Sequence, residues 1–163
     1  ALKGQPMDAL ARLVAIEDIR QLKCRYFRHM DMRDWAAMAQ VFTRDVRFDC
    51  SEGSITTTLG GERQGEGGPI TQGREAVMAW ISGAFADRTC CHHGHGHEIT
   101  VASETEASGI VAMEDFILSA DRKTMLLNAA GHYHERYRYE DGAWRIAEVK
   151  LTRLFVDEPG ATS

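Results

Sequence analysis

The chain has 163 residues, of which 44% are hydrophobic and 26% charged, a balance typical of globular domains. Its formal net charge of -5 argues against a general nucleic-acid binder, and no apolar run approaches the roughly 18 residues that span a bilayer. We therefore expect a single domain over residues 1–163, with flexible ends at about 1–7 and 157–163. We also expect a cytoplasmic location, because the N-terminal segment lacks the apolar core of a signal peptide.

The first part of the chain has helical periodicity. Apolar residues recur every three or four positions over residues 8–30, which predicts an amphipathic helix with one buried face. Asp34 is placed to cap a second, shorter helix that runs through Val41. A short strand is predicted at residues 46–49, and a third helix at about residues 74–85.

Residues 51–73 contain seven glycines and separate the second helix from the third. Such a segment is compatible with a flexible lid over a pocket. It is equally compatible with an extra hairpin through residues 55–59.

The second part of the chain has a period of two, which indicates strands. Four segments are predicted, at about residues 91–102, 108–119, 124–139 and 143–156. The turn Glu140-Asp141-Gly142 predicts a hairpin between the last two strands. Helices followed by strands indicate an α+β fold, with three N-terminal helices packed on a strongly curved antiparallel sheet and a pocket between them.

The four cysteines are Cys24, Cys50, Cys90 and Cys91. Their spacing matches neither a metal knuckle nor the framework of a disulfide-rich secreted protein, so free thiols in a reducing compartment are expected. No base is placed beside any of them by spacing, and we do not predict a nucleophilic cysteine.

Tyr26 and Asp31 are the first candidates for acid/base chemistry. They are five residues apart, which places them about 140° apart on an ideal helix. Both enter one pocket only if the helix ends near Asp31, and the sequence Asp31-Met32-Arg33-Asp34 is compatible with such an end. The alternative is that Asp31 is a solvated turn residue and Tyr26 a core residue.

Residues 90–100, CCHHGHGHEIT, are rich in histidine. Metal binding is one explanation, because His93, His95 and His97 alternate onto one face of a strand. A flat strand with this spacing rarely closes a tetrahedral site, and no carboxylate stands at an obvious ligand offset. We therefore predict neither a metal nor any other cofactor.

The other explanation is a single catalytic histidine, His92. Alternation puts His92 on the same face as Gly94 and Gly96, which would leave room for a ligand above the sheet. A pairing with Asp31 would fix one tautomer of the ring and stabilise the imidazolium that forms when it accepts a proton.

Further polar candidates lie on the later strands. His132 and His134 share one face of their strand and Tyr133 faces the other way, but the inward face is not determined by the pattern. We consider His95, His132 and His134 as substrate-binding candidates. Arg153 alternates with Leu151 and Phe155, and either extends to the rim or faces a pocket that holds an anionic or carbonyl group.

Three stretches of the chain, IEDIRQLKCRYFRHMDMRDW, HHGHGHEIT and DGAWRIAEVKLTRLF, resemble the SnoaL-like branch of the nuclear transport factor 2 superfamily. Within that branch they resemble the bile acid 7α-dehydratases in particular. The resemblance extends over most of the chain in the same order, and it implies a cone-shaped α+β barrel and a dimer or trimer.

The resemblance also implies roles for four residues. The active-site tyrosine, aspartate, histidine and arginine of those dehydratases fall on Tyr26, Asp31, His92 and Arg153. Scytalone dehydratase and hexachlorocyclohexane dehydrochlorinase, which are more distant, use an Asp-His pair similar to Asp31 and His92. The glycine-rich segment at residues 51–73 is longer than its counterpart, and it would border the mouth of the pocket.

These observations lead to two classes of function. The first is a cofactor-independent lyase that eliminates water from a small cyclic, steroid-like or aromatic hydrophobic substrate, or an isomerase or polyketide cyclase that uses the same pocket. The second is a ligand-binding or structural module, such as a small subunit of an aromatic-ring hydroxylase, in which the same residues line a pocket without turnover.

Overall fold

The computed structural model describes residues 7–57 and 63–159. Over these residues the chain is helical first and strand-rich later, which confirms the α+β class. The helices are α1 (Ala9–Met32), α2 (Trp35–Ala39) and α3 (Arg74–Ala84), and the strands are β1 (Phe42–Asp49), β2 (Thr56–Thr57), β3 (Arg63–Gln64), β4 (Ile70–Gln72), β5 (Arg88–Val101), β6 (Glu106–Ser119), β7 (Met125–Glu140) and β8 (Ala143–Asp157).

Six strands form one sheet in the order β4-β1-β8-β7-β6-β5. Strands β5 to β8 are successive antiparallel neighbours, as predicted, and the β7–β8 hairpin turns through Asp141 and Gly142, whose φ angles are 52° and 78°. Strand β1, however, runs parallel to β8, so the sheet is mixed. No hairpin joins these two strands, and their relative direction is therefore set by tertiary packing. The outer strands β4 and β5 are not paired with each other, so the curved sheet stays open.

Helix α1 packs across the inner face of the sheet, against β5 and β8. Its buried residues recur at helical spacing, and they are Ala15, Ile19, Leu22, Lys23, Tyr26, Phe27 and Met30. The helix ends at Met32, because Arg33 adopts a left-handed conformation with φ 54°. Asp31 therefore lies in the last turn of α1, which is the position that a shared pocket requires.

Several boundaries differ from the predicted ones. Helix α2 ends at Ala39, and β1 begins at Phe42 instead of residue 46, since an irregularity between Phe42 and Arg47 breaks the alternation that marks a strand. Two alternatives were open for residues 51–73, a lid or a hairpin. Strands β2 and β3 pair antiparallel, as a hairpin requires, and residues 58–62 lie outside the described residues. The two ends that were predicted to be flexible also lie mostly outside the described residues, but β8 continues to Asp157.

No helix among the described residues has both the length and the apolar character needed to cross a membrane.

A buried ion pair joins α1 to the sheet. The Lys23 ammonium lies 2.5 Å from the Glu135 carboxylate on β7, and both side chains are fully buried. The second oxygen of Glu135 accepts a hydrogen bond of 2.6 Å from the Tyr137 hydroxyl. Nζ of Lys23 also lies 3.8 Å from the ring centre of Tyr26 and 3.6 Å from that of Tyr133. Burial lowers the pKa of Lys23, although the charge of Glu135 opposes that shift.

Gly131 provides a test of backbone packing within the sheet. A Cβ atom at Gly131 would lie 2.0 Å from the carbonyl oxygen of Thr152, whereas one at Gly96 would have no atom within 4 Å. We expect Gly131→Ala to lower the free energy of unfolding by about 1–3 kcal/mol. We expect Gly96→Ala to change it by less than about 0.5 kcal/mol. Urea unfolding measures both, and equal midpoints for the two variants would contradict the close approach of β7 and β8.

Candidate active site

A cavity of about 230 Å³ lies between the helices and the inner face of the sheet. Much of its wall is aromatic or aliphatic, with contributions from Phe48, Trp80 and Phe85. Its polar lining side chains include Tyr26, His92, Asp115, Tyr133 and Arg153. A small apolar space with a few converging polar groups is the usual form of a site for a small molecule.

Asp31 and His92 are in direct hydrogen-bond contact at this site. Nδ1 of His92 lies 2.7 Å from Oδ1 of Asp31, and the main-chain N–H of His92 donates to Oδ2 at 3.0 Å. With the proton of a neutral imidazole on Nδ1, the lone pair is on Nε2. Nε2 lies 3.9 Å from the Asp115 carboxylate, whose residue lines the cavity. The ring nitrogen that is free to take a proton is thus the one nearer the wall of the cavity.

Aromatic rings hold the His92 imidazole in place. Phe27 stacks on it with ring centres 6.4 Å apart and an interplanar angle of 21°, and Phe85 approaches it edge-on at 6.1 Å. Gly94 permits this stacking, because a Cβ atom there would lie 2.3 Å from the Phe27 ring. The expectation that Gly94 leaves room for a ligand is therefore wrong, since Phe27 fills that space.

Tyr26 faces the cavity and is fully buried. Its hydroxyl has no hydrogen-bond partner among the described residues. Its ring meets that of Tyr133 edge-on, with an interplanar angle of 70° and ring centres 5.7 Å apart. Burial, followed by the neighbouring Tyr133, raises the pKa of Tyr26 well above its ordinary value. The hydroxyl therefore stays protonated at neutral pH, available as a donor to a ligand.

Arg153 is paired with Asp115, a residue that the sequence interpretation missed. Nη1 donates to Oδ1 at 2.6 Å and Nη2 to Oδ2 at 3.0 Å, with both side chains at most 5% exposed. The Arg153 Nε–H donates to the carbonyl oxygen of Gly53 at 2.9 Å, which ties the glycine-rich segment to the site. Alternation was a usable signal, because Asp115 shares its strand face with the apolar Met113 and Ile117.

The structure brings together Tyr26, His92 and Arg153 around the cavity, with Asp31 behind His92. The three predicted substrate-binding histidines, His95, His132 and His134, lie elsewhere and do not line it.

Strand alternation keeps His132 and His134 out of the cavity, because Tyr133 between them is buried and faces inward. His134 contacts the Thr152 hydroxyl at 3.1 Å instead. His95 is exposed and lies 3.6 Å from Glu114. None of these three residues therefore contacts the cavity, and the structure gives no support there to their predicted role in substrate binding.

The described residues contain no group of three His, Cys, Asp or Glu side chains arranged to hold a metal ion. His93 and His95 approach the same oxygen of Glu114, at 3.4 Å and 3.6 Å. His97 is partly buried, and burial lowers its pKa. The histidines of β5 are thus divided between two environments instead of forming the one row that a flat strand would present.

The sequence model of the family described as SnoaL-like domain matches residues 11–150 of the chain. Several solved structures have a similar fold. A protein from Novosphingobium aromaticivorans DSM 12444, provisionally named a scytalone dehydratase, is 18% identical with a TM-score of 0.76, over 96% of this chain and 95% of the other. Hexachlorocyclohexane dehydrochlorinase from Novosphingobium barchaimii LL02 is 16% identical with a TM-score of 0.72, over 95% and 97%.

Rv3472 of Mycobacterium tuberculosis, whose function is unknown, is 22% identical with a TM-score of 0.70, over 92% of this chain and 78% of the other. At these identities the likenesses establish the fold and no activity. The resemblance to bile acid 7α-dehydratases in particular stays a prediction.

The cysteines give a test of the chemistry of the cavity wall. Cys50 lines the cavity, and burial raises its pKa to about 12, while burial raises the pKa of Cys90 to about 11. At pH 8 the Cys50 side chain is therefore almost entirely in the weakly nucleophilic thiol form. We expect iodoacetamide to label the exposed Cys24 and Cys91 and to spare the two buried thiols, as read by peptide mass spectrometry. Labelling of Cys50 in the folded protein at the rate seen after denaturation would contradict this.

Proposed function

The chain belongs to the SnoaL-like domain family, and from that premise we propose that it is a cofactor-independent lyase. Its reaction is the elimination of water, or of a similar leaving group, from a small cyclic hydrophobic substrate. The main support is the contact of 2.7 Å between Asp31 and the Nδ1 atom of His92, at the wall of an apolar cavity. A histidine oriented in this way by a carboxylate is a suitable general base.

The reaction starts with a proton on a carbon next to a carbonyl group. Nε2 of His92 takes that proton, and the electron pair of the C–H bond moves onto the carbonyl oxygen as an enolate. The enolate then re-forms the carbonyl, a carbon–carbon double bond forms, and the bond to the leaving hydroxyl breaks. The His92 imidazolium returns the proton to this oxygen, so that water departs. The carboxylate of Asp31 stabilises the imidazolium between the two transfers.

Tyr26 and Arg153 act on the oxygen that becomes negative. The Tyr26 hydroxyl, which has no partner among the described residues, donates a hydrogen bond to the enolate oxygen. Arg153 lines the same cavity, and its N–H that is not used by Asp115, Met113 or Gly53 is a second candidate donor to that oxygen. A donor that is already in position needs no reorganisation during the reaction. Such preorganised donors stabilise a developing negative charge most effectively.

The names of two structural neighbours agree with this class of reaction. A dehydratase removes water and a dehydrochlorinase removes hydrogen chloride, and each reaction eliminates a leaving group together with a proton. The cavity volume of about 230 Å³ lies below the roughly 300–1,000 Å³ of sites for drug-sized ligands. We therefore favour a substrate of one or two rings over a steroid. An isomerase would use the same residues and differ only in the carbon to which the proton returns.

Substitution of His92 tests the base. We expect His92→Ala to lower the rate of dehydration of a cyclic β-hydroxyketone, such as 3-hydroxycyclohexanone, by a factor on the order of 10² to 10⁴. The exchange of the α-hydrogens of cyclohexanone with deuterium should fall in parallel, because it requires only the first proton transfer. Both rates can be followed by NMR in deuterated buffer.

His134→Ala is a matched control, because it removes a histidine from the outer face of the sheet and should leave both rates unchanged. Full activity in His92→Ala would remove His92 from the mechanism. If the wild-type protein catalyses the exchange of α-hydrogens but not the elimination of water, the result favours the isomerase.

Tyr26→Phe separates function from stability. Its hydroxyl is buried without a partner, so its removal should leave the free energy of unfolding unchanged or raise it by up to about 1 kcal/mol. The loss of one donor to the enolate should lower kcat by a factor on the order of 10² to 10³. Urea unfolding and the dehydration assay measure the two effects. A variant with lower stability and unchanged kcat would show that the hydroxyl has a structural role instead.

A further inference from the structure

The donors of the Arg153 guanidinium are nearly all used within the protein. Nη1 donates to Oδ1 of Asp115 and to the sulfur of Met113, at 2.6 Å and 3.2 Å. Nη2 donates to Oδ2 of Asp115, and Nε to the carbonyl oxygen of Gly53. Four of its five N–H groups are therefore engaged, and one N–H of Nη2 has no partner among the described residues.

A carboxylate ligand needs more than this arrangement offers. Arginine binds carboxylates most strongly through two parallel hydrogen bonds. In Arg153 the two nitrogens that would form them, Nη1 and Nη2, already donate to Asp115. Its positive charge is matched by the negative charge of Asp115, and both side chains are at least 95% buried. A substrate carboxylate would thus enter a low-dielectric site beside another carboxylate, which is strongly unfavourable.

A neutral oxygen meets different conditions. It requires one or two donors and no compensating charge, and the cavity supplies the Tyr26 hydroxyl and the remaining N–H of Arg153. One further cation, Arg88, lines the cavity, but this residue is exposed and water screens its charge.

We propose that Asp115 determines the charge specificity of this site, because its pairing with Arg153 makes the cavity accept neutral carbonyl or hydroxyl compounds and exclude carboxylates. This inference rests on the proposed function only in taking the cavity as the substrate site. Asp115 is thus a specificity-determining residue, and without it the same arginine would be a carboxylate receptor.

Benzoate and benzamide are suitable probes, because they share a ring and size and differ in charge. Dissociation constants from NMR titration are compared in the wild-type protein and in Asp115→Ala. We expect the wild type to prefer benzamide, and we expect Asp115→Ala to bind benzoate more tightly than the wild type by a factor on the order of 10 to 100, as for a hydrogen-bonded charge pair. Benzamide binding should change little.

Glu114→Ala is the matched control, because it also removes one negative charge but from a residue outside the cavity. It should leave the preference for benzamide unchanged. The gain in benzoate binding should disappear in the double variant Asp115→Ala/Arg153→Met, which lacks the freed guanidinium.

The proposal is overturned if the wild type binds benzoate as tightly as benzamide, or if Asp115→Ala gains nothing over the wild type. Asp115→Asn, which conserves volume, replaces Asp115→Ala if the latter does not fold. If neither variant folds, the wild type decides, and weaker or undetectable binding of benzoate supports the proposal. None of these measurements requires turnover. An inactive protein that still discriminates between the two probes would therefore contradict the proposed function and leave the role of Asp115 intact.

Discussion

The contact between Asp31 and His92 is the constraint on which the site depends. One carboxylate accepts from both the main-chain N–H and the ring Nδ1 of the same residue, so it fixes the backbone of β5 and the imidazole together. A carboxylate in the last turn of a helix is disfavoured by the helix dipole, and the two His92 donors compensate for this. The same contact joins the end of α1 to β5 beside the cavity.

Two buried ion pairs flank the cavity and have different consequences. Lys23 and Glu135 lie behind the rings of Tyr26 and Tyr133, whereas the pair formed by Arg153 and Asp115 lines the cavity. The desolvation of buried charges offsets much of their attraction, so neither pair is a strong source of stability. Their contribution is positional, since each allows only a narrow range of geometries for the groups around it.

The sequence allowed much of this arrangement to be predicted, for identifiable reasons. Strong periodicity located α1 and the strands β5 to β8, and the Asp141-Gly142 turn is specific for a tight hairpin. The parallel pairing of β1 with β8 was missed, because it depends on contacts between distant segments. The sequence did not show which face of β7 points inward, because Tyr133 lies on one face and His132 and His134 lie on the other. All three side chains are of intermediate polarity. Asp115 was overlooked because its role depends on a partner 38 residues away.

Strand β5 places His92 and is also an outer strand of the sheet. Its far edge is not paired with any described strand, and a long unpaired edge is a template onto which a second molecule can add a strand and start to aggregate. The irregularity after Gly94 interrupts that edge, and the exposed Arg88, His95 and Glu98 introduce polar or charged side chains along it. Such features are those by which natural sheets resist edge-to-edge association. The segment that holds the proposed base therefore also helps to keep the folded chain from polymerising through its own sheet.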